Sequence, residues 1–383
     1  MKKKIFFLSV SRSDFDRYLS IITALNKINK SQNTVLISGS HYSSKFGNTH
    51  KIIKKSGFNY IKAIDKKYIT HVNKYSSNIV NITSKLSKIF DKKKPDILVI
   101  LGDRYEMISG PLACLDKNIP IIHIHGGAVT YGAIDDNIRH SLTKLSNFHI
   151  VSHEKYLKRI KQLGEENWRI KNLGAPGLDY IKQKGRKPIN KIIANKYNLK
   201  KNNYILICLN AETRALTELK KNIDQLLNFL KSRKEIKIFT YPNSDPGCDQ
   251  IISNFKKFVS ENKNSYLIKN FANNEFYPIL SNCKFLIGNS SVGIVEAASF
   301  KKPVINLGDR QNGKIHPFNV TNSNYSSFSI RKCLKIIESK NYMSKIKNLK
   351  NPYGNGNSGI KIARQLLNIK INSDLMKKKF IDK

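Results

Sequence analysis

Acidic residues are scarce in this sequence. Its 383 residues include 27 Asp and Glu against 68 Lys and Arg, which gives a formal net charge of +41 at pH 7. An excess of this size is typical of proteins that bind nucleic acids or anionic membrane surfaces. The lysines, however, are spread along the whole chain in short runs, such as residues 2–4, 92–94 and 377–379, and no nucleic-acid-binding motif accompanies them. We therefore interpret the charge as compositional and predict no specific nucleic-acid partner; attraction to an anionic partner is the alternative.

Cysteines and long apolar runs are also scarce. The cysteines are Cys114, Cys208, Cys248, Cys283 and Cys333. Because their number is odd and their spacing suits no metal site, they predict reduced thiols, no metal and no cofactor. No apolar run approaches the length of a membrane span, and the apolar residues before Arg12 are too few for a signal peptide. We expect a cytoplasmic protein without a transmembrane segment.

The length and rhythm of the chain predict two domains. In the first half, apolar runs predict strands at residues 4–10, 35–37, 95–101, 119–124 and 149–152. Helices are predicted at about residues 18–29, after residue 104 to about 115, and from about residue 135. Residues 12–17 are predicted to form a polar loop.

The second half repeats this rhythm after a Lys-rich stretch at residues 182–191. Strands are predicted at residues 204–209, 236–241, 265–268, 285–287 and 303–307, and helices at 216–230, 329–338 and 359–369. Alternating strands and helices indicate parallel sheets covered on both faces. We predict an α/β fold with two doubly wound, Rossmann-like domains facing a cleft. Their predicted bounds are residues 1–180 and 181–358, followed by a C-terminal helix and Lys-rich tail at 359–383.

One stretch, residues 121–146, combines a strand, a glycine turn and a helix with many titratable side chains. Its sequence is IIHIHGGAVTYGAIDDNIRHSLTKLS, in which His125 precedes the glycines and Asp135, Asp136 and Arg139 open the helix. These groups are expected at the carboxyl end of a strand, the edge at which open parallel sheets bind ligands. The alternative is an ordinary strand–turn–helix whose aspartates only cap the helix. The number of titratable groups favours a functional site.

A second candidate site is predicted at residues 287–293, IGNSSVG, where a strand gives way to a helix. Free N–H groups there, with the hydroxyls of Ser290 and Ser291, suit a phosphate group. Glu296, predicted near the start of the helix, is within reach of a ribose diol, unless it is an ordinary solvent-facing carboxylate. Cations are also expected at strand ends, namely Arg12, Arg104, Arg310 and Lys314. Together they favour a diphosphate ligand.

Ordered motifs along most of the chain carry a resemblance to a known family. They are SRSD (11–14), GSHYSSKFGNT (39–49), LGDRYE (101–106), HIHGG (123–127), GAIDDNIRH (132–140), GAPGLD (174–179), TYPNSDPG (240–247), GNSSVG (288–293) and INLGDRQ (305–311). In them the sequence resembles the UDP-N-acetylglucosamine 2-epimerases, in particular the hydrolysing branch that makes sialic and legionaminic acid precursors of cell-surface polysaccharides. The resemblance implies a glycosyltransferase-B fold, with the nucleotide held mainly by the second half and the sugar placed against the first.

The resemblance also implies a reaction and its residues. A base removes the proton from C2 of the sugar as UDP leaves C1, and water then adds to the glycal, releasing N-acetylmannosamine or an analogue. Asp103 and Asp136 match the family's carboxylates near the sugar, with Asp135 and His125 beside them as further catalytic candidates. The implied substrate-binding residues are Arg12, Asp14, His41, Arg104, Arg139, Asn210, Asn243, Ser290, Ser291, Gly293, Glu296, Arg310 and Gln311. A UDP-sugar is the expected partner, and self-association into a homo-oligomer is left open.

Three features depart from the family pattern. Relatives of the H-I-E-G-G type have an acid at the position of His125, and relatives of the H-I-H-G-G-E type have one at that of Ala128, but this sequence has neither. Asn210 stands where relatives commonly have a histidine, and Tyr131 where a second acid is often found. His125 has the proton-transfer chemistry to replace the missing acid. The alternatives are therefore an altered reaction on a related sugar, such as a 2,4-diacetamido substrate, and a UDP-sugar-binding homologue that is catalytically altered or inactive.

Overall fold

The computed structural model describes residues 2–64, 74–131, 133–182, 187–269, 271 and 273–382. The chain divides into two compact units. The first unit comprises Met1–Ala128, Asp135–Asp179 and Tyr353–Lys383, and the second comprises Val129–Ile134 and Tyr180–Pro352. The chain therefore leaves the first unit twice and returns to it twice.

The first unit is built on a sheet of seven strands. They are β1 (Lys3–Ser9), β2 (Ser31–Ile37), β3 (Asn59–Lys62), β4 (Ile97–Leu101), β5 (Ile121–Ile124), β6 (Phe148–Val151) and β7 (Ile170–Asn172). All neighbouring strands run parallel, in the order β3-β2-β1-β4-β5-β6-β7. Strand order therefore reverses between β1 and β4, as in a doubly wound fold.

The second unit is built on a parallel sheet of six strands. They are β8 (Tyr204–Cys208), β9 (Ile236–Thr240), β10 (Ser265–Ile268), β11 (Phe285–Gly288), β12 (Val304–Leu307) and β13 (Val320–Ser323). Their order is β10-β9-β8-β11-β12-β13, so this sheet reverses between β8 and β11. The prediction of two doubly wound α/β domains is confirmed. Strand β13 was not predicted because its sequence, VTNS, has no apolar run.

Helices connect the strands in both units. They are α1 (Arg12–Ile28), α2 (His50–Lys55), α3 (Tyr75–Lys93), α4 (Ser109–Leu112), α5 (Asp135–Leu145), α6 (Glu154–Gln162), α7 (Gly177–Tyr180), α8 (Lys191–Lys196), α9 (Leu219–Lys231), α10 (Cys248–Glu261), α11 (Asn273–Asn282), α12 (Ser291–Val295), α13 (Ser327–Glu338), α14 (Lys340–Lys347), α15 (Ser358–Asn368) and α16 (Ser373–Met376). None of these helices is long and apolar enough to cross a membrane. All five cysteines are buried, and none forms a disulfide.

The central strands of the first unit, β1, β4, β5 and β6, are buried, whereas the edge strands β3 and β7 are partly exposed. Because alternate residues of a strand face opposite sides of the sheet, the central strands contribute to a core on each face. In β1, Ile5 and Phe7 pack in one core with α1 and α15, whereas Phe6 and Leu8 pack in the other core with α3. This two-sided burial explains why β1 reads as a nearly continuous apolar run. The same pattern made β4 and β5 recognisable in the sequence.

The predicted polar loop at residues 12–17 is wrong, because α1 already begins at Arg12. The carboxylate of Asp14 accepts hydrogen bonds from the backbone N–H groups of Val10 (3.1 Å) and Ser11 (2.8 Å). Helix starts often use such side-chain capping in place of an apolar pattern. Polar residues therefore fill the first turn of a regular helix here.

Residues 353–382 complete the first unit. Lys3 Nζ donates to the carbonyls of Leu367 and Ile369, each at 2.8 Å, at the end of α15. The buried guanidinium of Arg169 donates to Leu375 O at 2.8 Å. Lys378 Nζ donates to Ser146 O at 3.0 Å, just beyond α5. Hydrogen bonds from Lys and Arg side chains to backbone carbonyl oxygens thus hold α15 and the segment after it against the first unit.

A buried carboxylate lies beside this segment. Glu165 is 2% exposed and accepts hydrogen bonds from Lys144 Nζ (2.7 Å) and Lys378 Nζ (3.1 Å), and pairs with His149 Nε2 at 3.0 Å. Burial alone would raise the pKa of Glu165, but the hydrogen bonds from His149 and Lys144 and the charge of Lys378 lower it to about 2. The carboxylate is therefore ionised throughout the neutral range.

Candidate active site

Each sheet presents its candidate residues where the strand order reverses. In the first unit, Arg12 follows β1, and Asp103 and Arg104 follow β4. In the second unit, Asn210 follows β8 and Ser290 follows β11. Loops diverge at such reversal points and leave a crevice outside the carboxyl ends of the strands, which is where doubly wound sheets bind ligands.

One arginine joins the two predicted catalytic aspartates. The side chain of Arg139 is 1% exposed and forms ion pairs with the carboxylates of Asp103 and, at 3.3 Å, Asp136. Its guanidinium also donates to Ala128 O at 2.9 Å. Asp103 lies two residues past β4, whereas Asp136 and Arg139 are three residues apart on α5 and so share one face. The cation offsets the repulsion between two carboxylates, whose side chains remain 30% and 15% exposed.

Two histidines lie on the same elements, His125 directly after β5 and His140 on α5. His125 has φ = +70°, and its backbone N–H donates to Ile150 O at 2.9 Å, which fixes the turn after β5. His140 Nε2 lies 3.7 Å from Asp136 Oδ2. Burial and the nearby arginines lower the pKa of His140, against the attraction of Asp136. Asp135 is buried in the first turn of α5. The structure thus places all four predicted catalytic residues around the β4 and β5 ends.

Two further predicted residues, one in the first turn of α1 and one in the turn after β2, are buried. His41 is fully buried; its Nε2 lies 2.8 Å from Ser9 Oγ and its Nδ1 lies 2.8 Å from Thr49 Oγ1. Burial lowers the pKa of His41 to about 3, so the ring is neutral. Asp14 is buried as the cap of α1, and burial raises its pKa to about 6. In this conformation both residues support the loops from inside.

The predicted cations of the first unit are held by neighbouring acids. Arg12 Nε lies 3.4 Å from Asp16 Oδ2 on the next turn of α1. Arg104 Nε donates to the buried carboxylate of Glu106 at 3.2 Å. These pairs orient both guanidinium groups next to the sheet reversal.

Asn289 organises the reversal point of the second unit. Its Oδ1 accepts from the backbone N–H of Asn210 at 2.7 Å, and its Nδ2 donates to Asn210 O at 2.9 Å. Asn210 Oδ1 in turn accepts from the backbone N–H of Asn243 at 2.9 Å. These bonds connect the ends of β8, β9 and β11. Gly288 is required just before, because its φ is +140° and a Cβ there would lie 2.2 Å from Cys208 O.

The residues after β12 bring unsatisfied polar atoms to the same edge. Gln311 Nε2 donates to Asn289 O at 2.7 Å, and Arg310 Nη2 lies 3.8 Å from Asp245. Gln311 Oε1, Arg310 Nε and Asn243 Oδ1 are buried but have no hydrogen-bond partner among the residues that the structure describes. Because buried polar atoms are nearly always paired, this group indicates the position of a polar ligand.

The predicted helix after β11 is shorter than expected. Helix α12 ends at Val295, so Glu296 is its C-cap and lies outside the helix, where it is 3% exposed. The expectation that Glu296 sits near the start of this helix is therefore wrong. Ser290 is the N-cap and accepts from Val292 N at 3.4 Å. Gly293 packs against β12, since a Cβ would lie 2.9 Å from Val304 Cγ1.

Glu212 was not among the site residues predicted from the sequence. It lies past β8, where it accepts a hydrogen bond from Tyr325 Oη at 2.8 Å and another from the backbone N–H of Asp309 at 3.4 Å. Burial and the charge of Glu212 raise the pKa of Tyr325 well above its ordinary value. The sequence feature that could have identified Glu212 is its position a few residues after the end of β8. Its contacts fix the loop that leads to Arg310.

This fold, two doubly wound α/β units, is that of the UDP-N-acetylglucosamine 2-epimerases. The model of that family matches residues 23–367. The chain therefore belongs to the UDP-N-acetylglucosamine 2-epimerase family, and the predicted resemblance is confirmed.

Two relatives support the same assignment, and a solved structure shares the fold. The chain is 33% identical over 367 residues to the polysialic acid biosynthesis protein P7 of Escherichia coli, covering 94% of this chain and 93% of the relative. It is 35% identical over 353 residues to the hydrolysing GDP/UDP-N,N'-diacetylbacillosamine 2-epimerase of Campylobacter jejuni, covering 89% of each. The UDP-GlcNAc 2-epimerase from Neisseria meningitidis, solved bound to UDP-GlcNAc, has the same fold, with a TM-score of 0.80 at 19% identity over 96% of this chain and 100% of that one.

Proposed function

We propose that this protein is a hydrolysing 2-epimerase that converts a UDP-2-acetamido sugar into UDP and the free 2-epimeric sugar. The observation that carries this proposal is the pair of carboxylates, Asp103 and Asp136, held on the single buried guanidinium of Arg139. Proton removal and return at one carbon require two acid–base groups at fixed positions. The hydrolysing relative at 35% identity supports the reaction class. The free, buried cysteines support a cytoplasmic setting.

The proposed reaction assigns a task to each group of the first unit. A carboxylate of the Asp103–Asp136 pair removes the C2 proton while the C1–O bond to UDP breaks, which leaves a glycal. Water then adds its oxygen to C1, and C2 takes a proton from the opposite face. His125 or His140 supplies a second proton-transfer group near the same strand ends. Arg139 keeps the two carboxylates in place because it contacts both.

The second unit is proposed to hold UDP. Gln311 Oε1, Arg310 Nε and Asn243 Oδ1 are buried without hydrogen-bond partners in the described part of the chain, and UDP offers both donors and acceptors. Ser290, Ser291 and Glu296 lie past the adjacent strand β11. Arg310 places a positive charge at this edge, which stabilises the leaving diphosphate.

A 2,4-diacetamido sugar is the second substrate candidate, because the Campylobacter relative is named for N,N'-diacetylbacillosamine. The alternative to an active enzyme is a catalytically altered homologue that only binds UDP-sugars. Ala128 and Asn210 favour that alternative: a methyl group has no proton to transfer, and Asn210 is held within the amide network of the β8 end.

The test is UDP release from a panel of UDP-2-acetamido and UDP-2,4-diacetamido sugars, with the free sugar identified by NMR in D₂O. We expect release of UDP and one deuterium at C2 of the 2-epimeric product. Asp103→Asn is the matched negative control. Hydrolysis that leaves C2 protonated and unepimerised would refute the reaction. Binding of UDP without any turnover would favour the binding homologue, and Ala128→Glu with Asn210→His is then the restoration to examine.

A further inference from the structure

We infer that His123 is a positioning residue, whose ring holds the peptide that carries Asp103 in register with the helix that carries Asp136 and Arg139. This inference rests on the proposed function, since it concerns how that reaction's carboxylates are held. His123 itself never meets the substrate, because its side chain is fully buried in β5.

The ring of His123 connects two elements of the first unit. Its Nε2 lies 2.8 Å from Gly102 O, and its Nδ1 lies 3.3 Å from Thr143 Oγ1 on α5. Gly102 O belongs to the peptide group that joins Gly102 to Asp103. The N–H of Gly102 donates to Ile124 O at 2.8 Å. Both polar groups of Gly102 are therefore held by β5, and the direction in which Asp103 leaves the strand is fixed.

The chemistry of the ring follows from these partners. A carbonyl oxygen only accepts, so Nε2 of His123 must carry the proton. Burial lowers the pKa of His123 to about 3, so Nδ1 is unprotonated and accepts from the hydroxyl of Thr143. A neutral ring with both nitrogens engaged and no exposed surface does not exchange protons with a substrate. Its contribution is geometric.

The contacts form a closed ring of interactions around the catalytic pair. Thr143 and Arg139 are one turn apart on α5 and so move together, and the single hydroxyl proton of Thr143 is shared between His123 Nδ1 and Arg139 O, which lies 3.1 Å from Thr143 Oγ1. The guanidinium of Arg139 reaches across to Asp103. Asp103 follows Gly102, whose carbonyl returns to His123. These contacts connect α5 to the end of β4 in two places, through Arg139 and Asp103 and through Thr143, His123 and Gly102. A shift of α5 along β5 would separate Arg139 from Asp103, and the contacts of His123 with Thr143 and Gly102 oppose that shift.

The first test compares Thr143→Val with Thr143→Ser. Valine has the same shape but no hydroxyl, so it breaks the bond to His123, whereas serine keeps it. We expect kcat to fall about tenfold in Thr143→Val and to stay near the wild-type value in Thr143→Ser, because sub-ångström misplacement of catalytic groups is costly. KM and UDP affinity should be unchanged, since the second unit is untouched.

The second test uses His123→Gln and His123→Leu. The glutamine amide still donates to Gly102 O and accepts from Thr143, so it should retain more kcat than leucine, which does neither. The pH profile of kcat should keep its wild-type inflections in His123→Gln, because the ring does not titrate. Loss of one inflection would show that His123 transfers protons and would overturn the inference. Wild-type kcat in a folded His123→Leu or Thr143→Val variant would overturn it as well.

Hydrogen–deuterium exchange separates this inference from the proposed function. In Thr143→Val, exchange should rise in peptides covering residues 97–106 and 135–145 and stay unchanged in residues 285–311. Failure of wild type to release UDP from any sugar would refute the reaction but leave this exchange measurement readable. Unchanged exchange in residues 97–106 would refute the positioning role whatever the activity.

Discussion

Asp103→Asn tests the carboxylate pair most directly, because it keeps the shape of the side chain and removes its charge. The asparagine oxygen still accepts a hydrogen bond from Arg139, but it no longer takes up a proton. If Asp103 is a proton-transfer group, turnover should fall at least about a hundredfold, the scale of losing a general acid or base. UDP affinity should be kept, because UDP is assigned to the second unit.

The same substitution has a predictable effect on stability. A hydrogen bond to a charged group contributes about 1.5–3 kcal/mol and a neutral one about 1 kcal/mol. Asp136 still neutralises Arg139 from 3.3 Å, and Asp103 is 30% exposed, so we expect a loss of about 1 kcal/mol. Arg139→Met should cost more, about 2–3 kcal/mol, because two carboxylates then face each other without their cation.

The assay exploits the single tryptophan of the chain, Trp168, which lies in the first unit. Its fluorescence during denaturant unfolding reports that unit alone. UDP release is measured on the same samples. Near-full turnover in Asp103→Asn would refute the catalytic assignment. A stability loss in Asp103→Asn as large as that in Arg139→Met would show that Asp136 does not share the guanidinium.

Three further predictions follow from other parts of the structure. Ser291→Ala and Glu296→Ala should each weaken UDP binding measured by calorimetry with unfolding unchanged; equal affinity in both would remove them from the nucleotide site. Glu165 has a pKa of about 2, below its ordinary value of 4.5, so its stabilising effect is complete above pH 4.5 and is lost as pH falls toward 2. The stability difference between wild type and Glu165→Gln, followed by Trp168 fluorescence, should therefore shrink over that range; a constant difference contradicts it. His125→Asn keeps a residue that tolerates φ = +70° but removes the imidazole, and turnover should fall at least about a hundredfold; full turnover would leave His125 with a backbone role only.

Much of the fold could be predicted because its central strands are buried on both faces. Such strands appear as short apolar runs, and β4, β5, β8, β9, β10, β11 and β12 were each located within a few residues. The positions of Asp103 and Asp136 follow from the same fact, since the carboxyl ends of neighbouring parallel strands meet at one edge. Polarity hid the start of α1 and the whole of β13, whose residues satisfy backbone groups or lie half-exposed and so leave no apolar pattern.

The details of the site could not be predicted, because they depend on rotations and distances that a pattern does not carry. Arg139 was assigned to substrate, yet its side chain is buried between two carboxylates, a consequence of how α5 is turned over the sheet. In the sequence His123 is one titratable residue among several. Only its distances to Gly102 and Thr143 indicate that it holds the peptide before Asp103 in position. Likewise, buried unpaired atoms such as Gln311 Oε1 become visible only when every partner is known.

The discontinuity of the first unit has a consequence for biosynthesis. Helix α15 packs against α1, and Lys3 donates to carbonyls at the end of α15, so residues from both ends of the sequence form one core. A ribosome makes residues 180–352 before it makes residues 353–382. The second unit can therefore fold while the first still exposes the apolar face that α15 will cover. In nascent chains of this protein, the first unit, which contains Asp103 and Asp136, should consequently depend on chaperones for longer than the second unit.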